Sequence, residues 1–595
     1  MPVVRPGNSQ LGYSKRTVNE ILRAQLENER SSFLAHWRDL GDNILPRRPR
    51  FYTADTNRGE RRNLKIIDST ATLSLRTLRS GMMGGITSPA RPWFRLAFQQ
   101  AEANKSDAVK AWLDEVSQIM YSTFLRSNLY NVLPIVYGDI GVFGTAAMFM
   151  EEDFDNVVKF QSLPIGSYSI GSSDGMKVDI IIREFRMTIR QVIEKFGEKD
   201  SKGMPILENF SEYIQAQYRS RQLESWVDVC HVIKPNLDHD PEKNLSKYKK
   251  YMSVYYEKGS LSLTDASAGT IGLNDDRLLR ESGYDYFPVL IPRWETTGED
   301  WWGTDCPGMV ALGDIKQLQL GEKRSVQALE KMVNPPMVAP NSMKNAKASI
   351  LPGDITYSPS ATDGSGFRPA HEIRFSITEL ENKQQQIRQR ISRSFYEDLF
   401  LMLANSDRRQ ITAREIEERH EEKLLALGPV LEQLNQDLLD PLIDNTFDIL
   451  VRQGKIPDPP QEIEGIELKV EYISIMAEAQ KLVGLGGIER FTRFASELLP
   501  IYPEVKNKID HNKLVSIYGE MTSLPPGILR SDEDTAALEA QQMEALKQQQ
   551  QMEQMQQGAG MAKDLSQTNM GEESALSGVV DALGSGVPEE ELGNV

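Results

Sequence analysis

The pattern in this sequence most capable of catalysis pairs two carboxylates with a lysine. Pro457-Asp458 is followed by Glu467-Leu468-Lys469, a spacing found in metal-dependent nucleases, where two carboxylates hold Mg²⁺ and a lysine assists the attacking water. Pro459-Pro460 disfavours the strand that presents the first carboxylate, because proline cannot donate to a sheet ladder. We therefore favour an acidic, proline-rich linker that leads into an exposed strand over residues 467–472, and we keep the nuclease as the minor alternative.

Other arrangements for chemistry are weaker still. Asp238-His239-Asp240 could grip a metal ion, but adjacent residues do not easily converge on one ion, and we favour a solvated turn. Only two cysteines occur, Cys230 and Cys306, and no histidines pair at the i, i+4 spacing of a zinc site. A GxxxxGK[ST] phosphate loop is missing, which argues against ATP hydrolysis. We expect no catalytic residue, no metal and no cofactor.

Arginines form a more informative cluster near the middle of the chain. They are Arg388, Arg390, Arg393, Arg408 and Arg409. The structural interpretation is a solvated helix face paired with Glu381, Glu397 and Asp398. The functional interpretation is a set of positive charges that contact a phosphate backbone without reading its sequence.

Three of these arginines lie in the second of two helical segments, and Arg408 and Arg409 follow that segment. Apolar residues in 314–333 and 372–403 recur at helical steps and form narrow stripes, typical of helices that pack on other helices. The first stripe comprises Ile315, Leu318, Val326, Leu329 and Val333, and the second Ile373, Ile377, Leu380, Ile387, Ile391, Phe395 and Leu399. A proline-rich excursion, residues 334–371, separates the two segments. Helices of this length with apolar stripes this narrow are expected to pack against other helices.

The rest of the chain places this pair between other elements. We expect helices over 14–45, 64–83, 106–127 and 131–141, strands with two short helices from about 145 to 297, and an α+β class that is mainly helical. Thr412-Ala413-Arg414-Glu415 predicts a capped helix that continues to about Gly454, with kinks at Pro429 and Pro441. A proline-rich linker over 455–464 follows, and then two or three short helices over 474–518. Residues 532–557 are rich in Gln and Met and predict a further helix, whereas 558–595 have the composition of a disordered tail.

Net charge and hydropathy restrict the possible functions further. The 595 residues carry a net charge of −17, so the chain is not a general nucleic-acid clamp, which gains affinity by neutralising phosphates. A DNA partner that slides past is compatible with this charge. No apolar run approaches the ~20 residues of a membrane span, the mean hydropathy is −0.43, and the first residues lack the apolar core of a signal peptide. We expect a soluble, intracellular protein.

Two motifs resemble a known family. Residues 80–96, SGMMGGITSPARPWFRL, are similar to the N-terminal signature of the head-to-tail connecting, or portal, proteins of short-tailed bacteriophages. Phe287-Pro288-Val289-Leu290-Ile291-Pro292-Arg293-Trp294, then Trp302-Gly303 and residues 307–316, PGMVALGDIK, resemble the segment that leads into their first channel helix. The similarity in element order extends from about residue 14 to about 530.

The resemblance implies a portal fold, assembled as a ring of twelve copies at one capsid vertex, through which DNA enters during packaging and leaves at infection. It names 1–313 the wing, 314–333 and 372–403 the stem helices, 334–371 the clip and 404–411 the tunnel loop. It also implies a kinked wing or crown helix over 412–454, a crown over 455–531 and a barrel-type helix over 532–557.

The same resemblance implies partners. Double-stranded DNA would pass the channel arginines, and terminase and then tail adaptor or nozzle proteins would dock on the clip, whose candidate contacts are Pro335, Pro336, Pro340, Pro352 and Pro359. Major capsid and scaffolding proteins would surround the wing, in a virion made in the host cytoplasm. The alternatives are another helical virion scaffold or adaptor protein and the nuclease.

Overall fold

The computed structural model describes most of the chain up to residue 460 and shorter stretches beyond it. The described residues are 14–51, 59, 62–98, 107–173, 177–201, 204–259, 276–333, 337–338, 368–369, 377–405, 427–460, 468–472, 488, 490–498, 500, 502, 509–521, 535, 538, 540–549 and 552. The chain divides into two units, Met1–Arg490 and Phe491–Val595.

The first unit begins with helices, as the sequence predicts. Helix α1 (Lys15–Ile44) starts where the Ser14 hydroxyl accepts a hydrogen bond from the Thr17 amide at 3.1 Å, which satisfies one of the free amides at a helix start. Three more helices follow: α2 (Thr70–Gly85), α3 (Asp107–Arg126) and α4 (Leu129–Phe143). Strand β1 (Phe94–Phe98) lies between α2 and α3. Helix α2 starts later than the expected residue 64, since Asp68 accepts from the Thr70 amide at its first turn.

Two antiparallel sheets fill the region expected to be rich in strands. Strands β2 (Ala147–Asp153) and β3 (Val157–Leu163) pair with the short β9 (Val289–Leu290) in the order β3-β2-β9. A five-stranded sheet has the order β4-β5-β6-β7-β8. Its strands are β4 (Tyr168–Gly171), β5 (Ile180–Thr188), β6 (Trp226–Pro235), β7 (Tyr251–Glu257) and β8 (Arg280–Tyr284).

Helices cover both faces of the five-stranded sheet. On one face α1 places Leu26 against Cys230, Val232 and Val254. On the other face α5 (Ile189–Phe196) and α6 (Glu212–Arg219) pack Val192 and other apolar side chains against the sheet. Burial on both faces explains the apolar, β-branched runs in β5 and β6, because neither face meets water.

The remaining described elements of the first unit lead towards and away from the central helices. Helix α7 (Pro307–Val333) precedes β10 (Met337–Val338), which pairs antiparallel with β11 (Arg368–Pro369). Then come α8 (Ile377–Ser394) and α9 (Glu397–Asn405), a helix α10 over 427–434, and α11 (Asp440–Arg452). Strand β12 (Leu468–Tyr472) pairs with β1. None of the described helices is both long enough and apolar enough to cross a membrane.

The long helix expected up to Gly454 contains one irregular turn. Residues Asn435–Leu439 are π-helical and join α10 to α11. Pro441 has no amide hydrogen to donate to the carbonyl four residues earlier, so the helix widens just before it. The distortion expected at Pro441 is therefore present. Residues 412–426 lie outside the described part, so the capped start of this helix and a kink at Pro429 stay predictions.

The second unit is described only in part. Residues 491–498 form a helix, α12, and His511–Met521 form α13; residues 540–549 are helical as well. These agree with the short helices expected before residue 531 and with the helix expected in the Gln/Met-rich segment. The expected tail, 558–595, lies outside the described residues.

Candidate functional site

Helices α7 and α8 form an antiparallel hairpin held by polar side chains. Gln384 Nε2 donates to Ser325 Oγ at 2.8 Å, and Arg388 contacts Glu322 at 2.6 Å. Arg390 contacts Asp314 at 2.7 Å nearer the start of α7. The first of the two expected helices thus begins at Pro307, before the expected Asp314.

A short segment in front of α2 ties this hairpin to the rest of the first unit. Gln319 on α7 accepts from the amides of Ile67 and Asp68 at 2.6 and 2.9 Å, and its Nε2 donates to the Asp68 carbonyl at 2.8 Å. Asp68 in turn accepts from Arg388 Nε at 2.9 Å. Burial alone would raise the pKa of Asp68, but hydrogen bonds from Thr70 and the charge of Arg388 hold that pKa below its usual value.

The structure separates the arginines that the sequence groups together. The Arg388 side chain is one-third exposed and bridges Asp68 and Glu322, so it braces the hairpin. Arg390 is 55% exposed and bridges to α7 through Asp314. Arg393 is exposed and has no ion-pair partner among the described residues. Arg408 and Arg409 lie outside the described part. Among the described residues, Arg388 and Arg390 pair with carboxylates of α7 and with Asp68. The ion pairs expected with Glu381, Glu397 and Asp398 are not formed by these two arginines.

The second of the two expected helices is broken between α8 and α9, where an uninterrupted helix over 372–403 was expected. Tyr396, between α8 and α9, has φ +55°, a left-handed conformation that costs a residue other than glycine about 1–2 kcal/mol. The buried Phe395 and Leu399 flank it, and its ring lies 6.1 Å from the ring of Trp294. Sequence periodicity does not reveal the break because no Gly or Pro marks it.

Helix α9 is held against α2 after this break. Ser74 Oγ donates to Glu397 Oε2 at 2.8 Å. Phe400 lies directly over Gly81, where an added Cβ would come within 2.1 Å of the ring. The glycine in the first sequence motif therefore lets the helix after the stem approach α2 closely.

The other motif residues build the junction beneath α7. Gly144 has φ +75°, and its backbone crosses that of Gly303 so closely that a Cβ on either residue would collide with the carbonyl of the other. Gly303 N also donates to Thr145 Oγ1 at 2.7 Å. Trp302 packs edge-on against Trp37 of α1 at 4.7 Å between ring centroids. The Trp302-Gly303 motif thus joins α1, β2 and the start of α7.

The apolar stripe on α7 is only partly covered within one chain. Ile315 and Leu318 are buried. Val326, Leu329 and Val333 are 61%, 52% and 80% exposed. Ile387 and Ile391 on α8 are buried, and so is Phe395 directly after it. The exposed part of the α7 stripe lies towards the end of the hairpin that bears β10 and β11.

The remaining sites predicted from the sequence show no chemistry in the described residues. The prolines Pro335, Pro336, Pro340, Pro352 and Pro359 and residue Glu467 lie outside the described part. Leu468–Tyr472 pairs with Phe94–Phe98, so the strand expected to be exposed is half of a two-stranded ladder. His239 and Asp240 belong to the loop between β6 and β7, where Asp240 pairs with Lys243. Within the described residues, no group of three or more His, Cys, Asp or Glu is placed to hold a metal ion.

Sequence reasoning missed the glutamines that organise the hairpin. Gln384 occupies the position between Leu380 and Ile387 where the apolar repeat of α8 calls for an apolar residue, and it is buried. A polar residue in register with an apolar stripe was the available signal. Gln319 and Asp68 carried no such signal, because their contact joins residues far apart in sequence.

Comparison with known proteins bears on the whole of this arrangement. The family model described as "Bacteriophage head to tail connecting protein" matches residues 18–529. The chain belongs to this family. It is 42% identical over 562 residues to a portal protein of Salmonella phage epsilon15, covering 94% of this chain and 97% of the relative. It is 39% identical over 559 residues, with the same coverages, to a probable portal protein of Bordetella phage BPP-1.

Membership confirms the resemblance noted in the two motifs and its main implication. The chain is a structural component of the virion, at the vertex where the phage head meets the tail. The connecting proteins are structural rather than catalytic, so membership leaves no support for the nuclease alternative. The third possibility, an unrelated scaffold or adaptor protein, is excluded because the family match spans most of the chain.

Proposed function

We propose that twelve copies of this chain form a ring whose central channel passes double-stranded DNA during packaging and ejection. The observation that carries the proposal is the α7–α8 hairpin. One chain leaves Val326, Leu329 and Val333 exposed on it, and an extended apolar surface of this kind marks a protein interface. Copies of the same hairpin, placed side by side, would cover that surface.

The regions take the roles that the family suggests. Residues 1–313 would be the wing, the α7–α8 hairpin the stem, and 334–371 the clip that receives terminase and later a tail adaptor. Residues 404–411 would form the tunnel loop, and 412–454, 455–531 and 532–557 the kinked helix, the crown and a barrel-type helix. Major capsid and scaffolding proteins would contact the wing.

Imaging of the purified full-length chain tests the ring. Negative-stain electron microscopy should show rings with a central hole, and native mass spectrometry should count twelve copies. A monomer, or a filament without a hole, would contradict the proposal. A closed ring of another copy number would correct only the stoichiometry.

Among the arginines, Arg393, Arg408 and Arg409 are the first candidates to line the DNA channel. Arg388 and Arg390 rank second, because their ion pairs already brace the hairpin. Arg408→Ala/Arg409→Ala rings should assemble normally but package or retain DNA poorly. Lys199→Ala/Lys247→Ala, which removes two exposed charges from the wing, is the matched control. Normal packaging by the arginine variant would leave Arg408 and Arg409 as ordinary surface charges.

The clip can be tested by shortening it. Val338 pairs with Arg368 across β10 and β11, so a short glycine-serine loop can join them without moving α7 or α8. Such a chain should still form rings but fail to bind terminase and the tail adaptor. Wild-type binding of both partners would place the docking surface elsewhere.

A further inference from the structure

One face of α7 is open along its first five turns and carries an unexplained glycine. The face comprises Val310, Gly313, Gln317, Leu320 and Arg324, which recur at helical steps of three and four. All five residues are exposed, Val310 by 63% and Leu320 by 51%. The opposite face, with Ala311, Ile315 and Leu318, is buried.

Gly313 has no role inside its own chain. A Cβ added there would meet nothing within 4 Å, and the residue does not adopt a left-handed conformation. Glycine in a helix interior costs stability relative to alanine, because its unfolded backbone is freer. Gly308 differs, since a Cβ there would come within 2.8 Å of the Val142 backbone. Within this motif, then, Gly308 serves the fold and Gly313 does not.

An exposed glycine between two exposed apolar residues forms a shallow notch on a helix. Helices pack at separations set by the side chains at the contact, and a residue without a side chain permits the closest approach. Val310 and Leu320 would border the incoming helix on either side of the notch. The feature fits another helix and offers little polarity for a small ligand.

The charges on the hairpin indicate which helix fits. The open face of α7 has no acidic residue, and Arg324 has no acceptor among the described residues. Glu381 on α8 is exposed and likewise has no described partner. Asp314 and Arg390 pair across the hairpin. From this pair, Arg324 lies about 15 Å further along α7, and Glu381 lies about 13–14 Å along α8 in the same direction. The two free charges are therefore at similar heights, and rotation about an axis along the hairpin would bring them together in adjacent copies.

We propose that the open face of α7 receives α8 of a second copy, with Gly313 as the point of closest approach and Arg324 pairing with Glu381 of that copy. The contact is heterologous, since different faces meet, and contacts of this type close into rings when the rotation permits. This inference rests on the proposed ring and specifies which surfaces of the stem form it.

Substitution of Gly313 tests the notch. Gly313→Leu should leave a folded chain, because the position is open within one copy, but should weaken ring formation by roughly tenfold or more in apparent association constant. Gly313→Ala should leave the melting temperature of the dissociated chain equal or higher and weaken assembly less. The matched control is Gly84→Leu, at another exposed helical glycine with nothing within 4 Å of its Cβ.

Circular dichroism, thermal melting and mass photometry give the readouts. If the wild-type chain forms rings and Gly313→Leu forms them equally well, the notch is not an interface and the proposed ring stands. Equal damage by Gly84→Leu would also overturn the notch, since the effect would not be specific to it. If the wild-type chain forms no ring, the proposed function itself fails.

A charge exchange tests the partner helix independently of the glycine. Arg324→Glu should weaken assembly, and adding Glu381→Arg in the same chain should restore it, because each copy supplies one member of every pair. Assembly that the second substitution weakens further would show that α8 of the next copy does not lie on this face.

Discussion

At the scale of single residues, the five-stranded sheet and the helices near it contain buried polar groups whose protonation states are set by their neighbours. His231 is fully buried in β6; Arg183 Nε donates to its Nδ1 at 3.0 Å, so its Nε2 hydrogen points to Ser253 Oγ at 2.9 Å. Burial first, and then the charges of Arg183 and Lys195, keep the pKa of His231 well below its ordinary value. The imidazole is therefore neutral in the folded chain.

A pH dependence of stability follows from this neutral histidine. Below the ordinary pKa of about 6.5 the unfolded chain binds a proton that the folded chain refuses, so the free energy of unfolding should fall as pH drops through 6.5. His231→Asn keeps an acceptor for Arg183 and a donor for Ser253. It should therefore lose stability less steeply between pH 7 and pH 5, measured by denaturant unfolding. Parallel pH profiles for the two chains would contradict this assignment.

A second buried group links α4 to the loop after α1. Asp139 is 1% exposed and accepts from Arg48 Nε at 2.9 and 2.8 Å. Burial raises the pKa of Asp139, and the Arg48 charge opposes that rise. The pair joins this loop to α4.

Breaking this pair should destabilise the chain strongly. Asp139→Asn leaves the Arg48 guanidinium without its counter-charge and should lower the free energy of unfolding by about 3–5 kcal/mol. Lys243→Met removes a partner of the exposed Lys243–Asp240 pair and should cost far less, because water screens an exposed ion pair. Urea titrations of both variants provide the comparison, and equal costs would refute the distinction.

At the scale of elements, the break at Tyr396 sets the direction in which the chain continues after α8. It redirects α9 onto α2, where Phe400 and Gly81 meet. Because the break depends on side chains from α2 and on Trp294, the two sequence motifs and the end of the stem form one packed junction.

This junction can be tested through its closest contact. Gly81→Ala places a methyl group against the Phe400 ring and should cost about 1–3 kcal/mol. Gly84→Ala, at an open position in the same helix, should be neutral or stabilising by up to ~1 kcal/mol. Adding Phe400→Leu to Gly81→Ala should recover part of the loss. Thermal melts of the single and double variants measure the coupling, and additive losses would show that the two residues do not share the contact.

At the scale of the whole molecule, the net charge distinguishes a channel through which DNA slides from a protein that binds DNA tightly. Lys and Arg number 68 against 85 Asp and Glu, and the net charge is −17. Every added copy increases the negative charge of an assembly, so a DNA duplex inside it would meet a mainly repulsive wall. A duplex that the wall repels rather than binds can slide along it.

The assembled chain should therefore retain free duplex DNA poorly. Fluorescence anisotropy at physiological salt should give binding no tighter than the roughly 10⁻⁴–10⁻⁶ M typical of non-specific binding. Salt-sensitive binding much tighter than this would indicate a continuous basic surface and contradict the sliding wall.

The agreement between sequence and structure varies with the distance over which each contact acts. Helices α1, α3 and α4 and the strands of the two sheets other than β8 were predictable because apolar periodicity and turn residues are local signals. The α7–α8 hairpin was predictable as two helices. The side-chain contacts that hold it were not predictable, because the Arg388–Asp68 and Gln319–Ile67 hydrogen bonds join residues far apart in the sequence.

The sequence by itself determined the class, the order of elements and the family, since composition, periodicity and two continuous motifs carry that information. Only the tertiary structure decided that Arg388 and Arg390 brace α7, that Tyr396 breaks the second stem helix, and that Gly313 faces away from its own chain. The physical reason is that the partner of a charge, the strain at a residue and the emptiness around a glycine depend on neighbours that folding brings together.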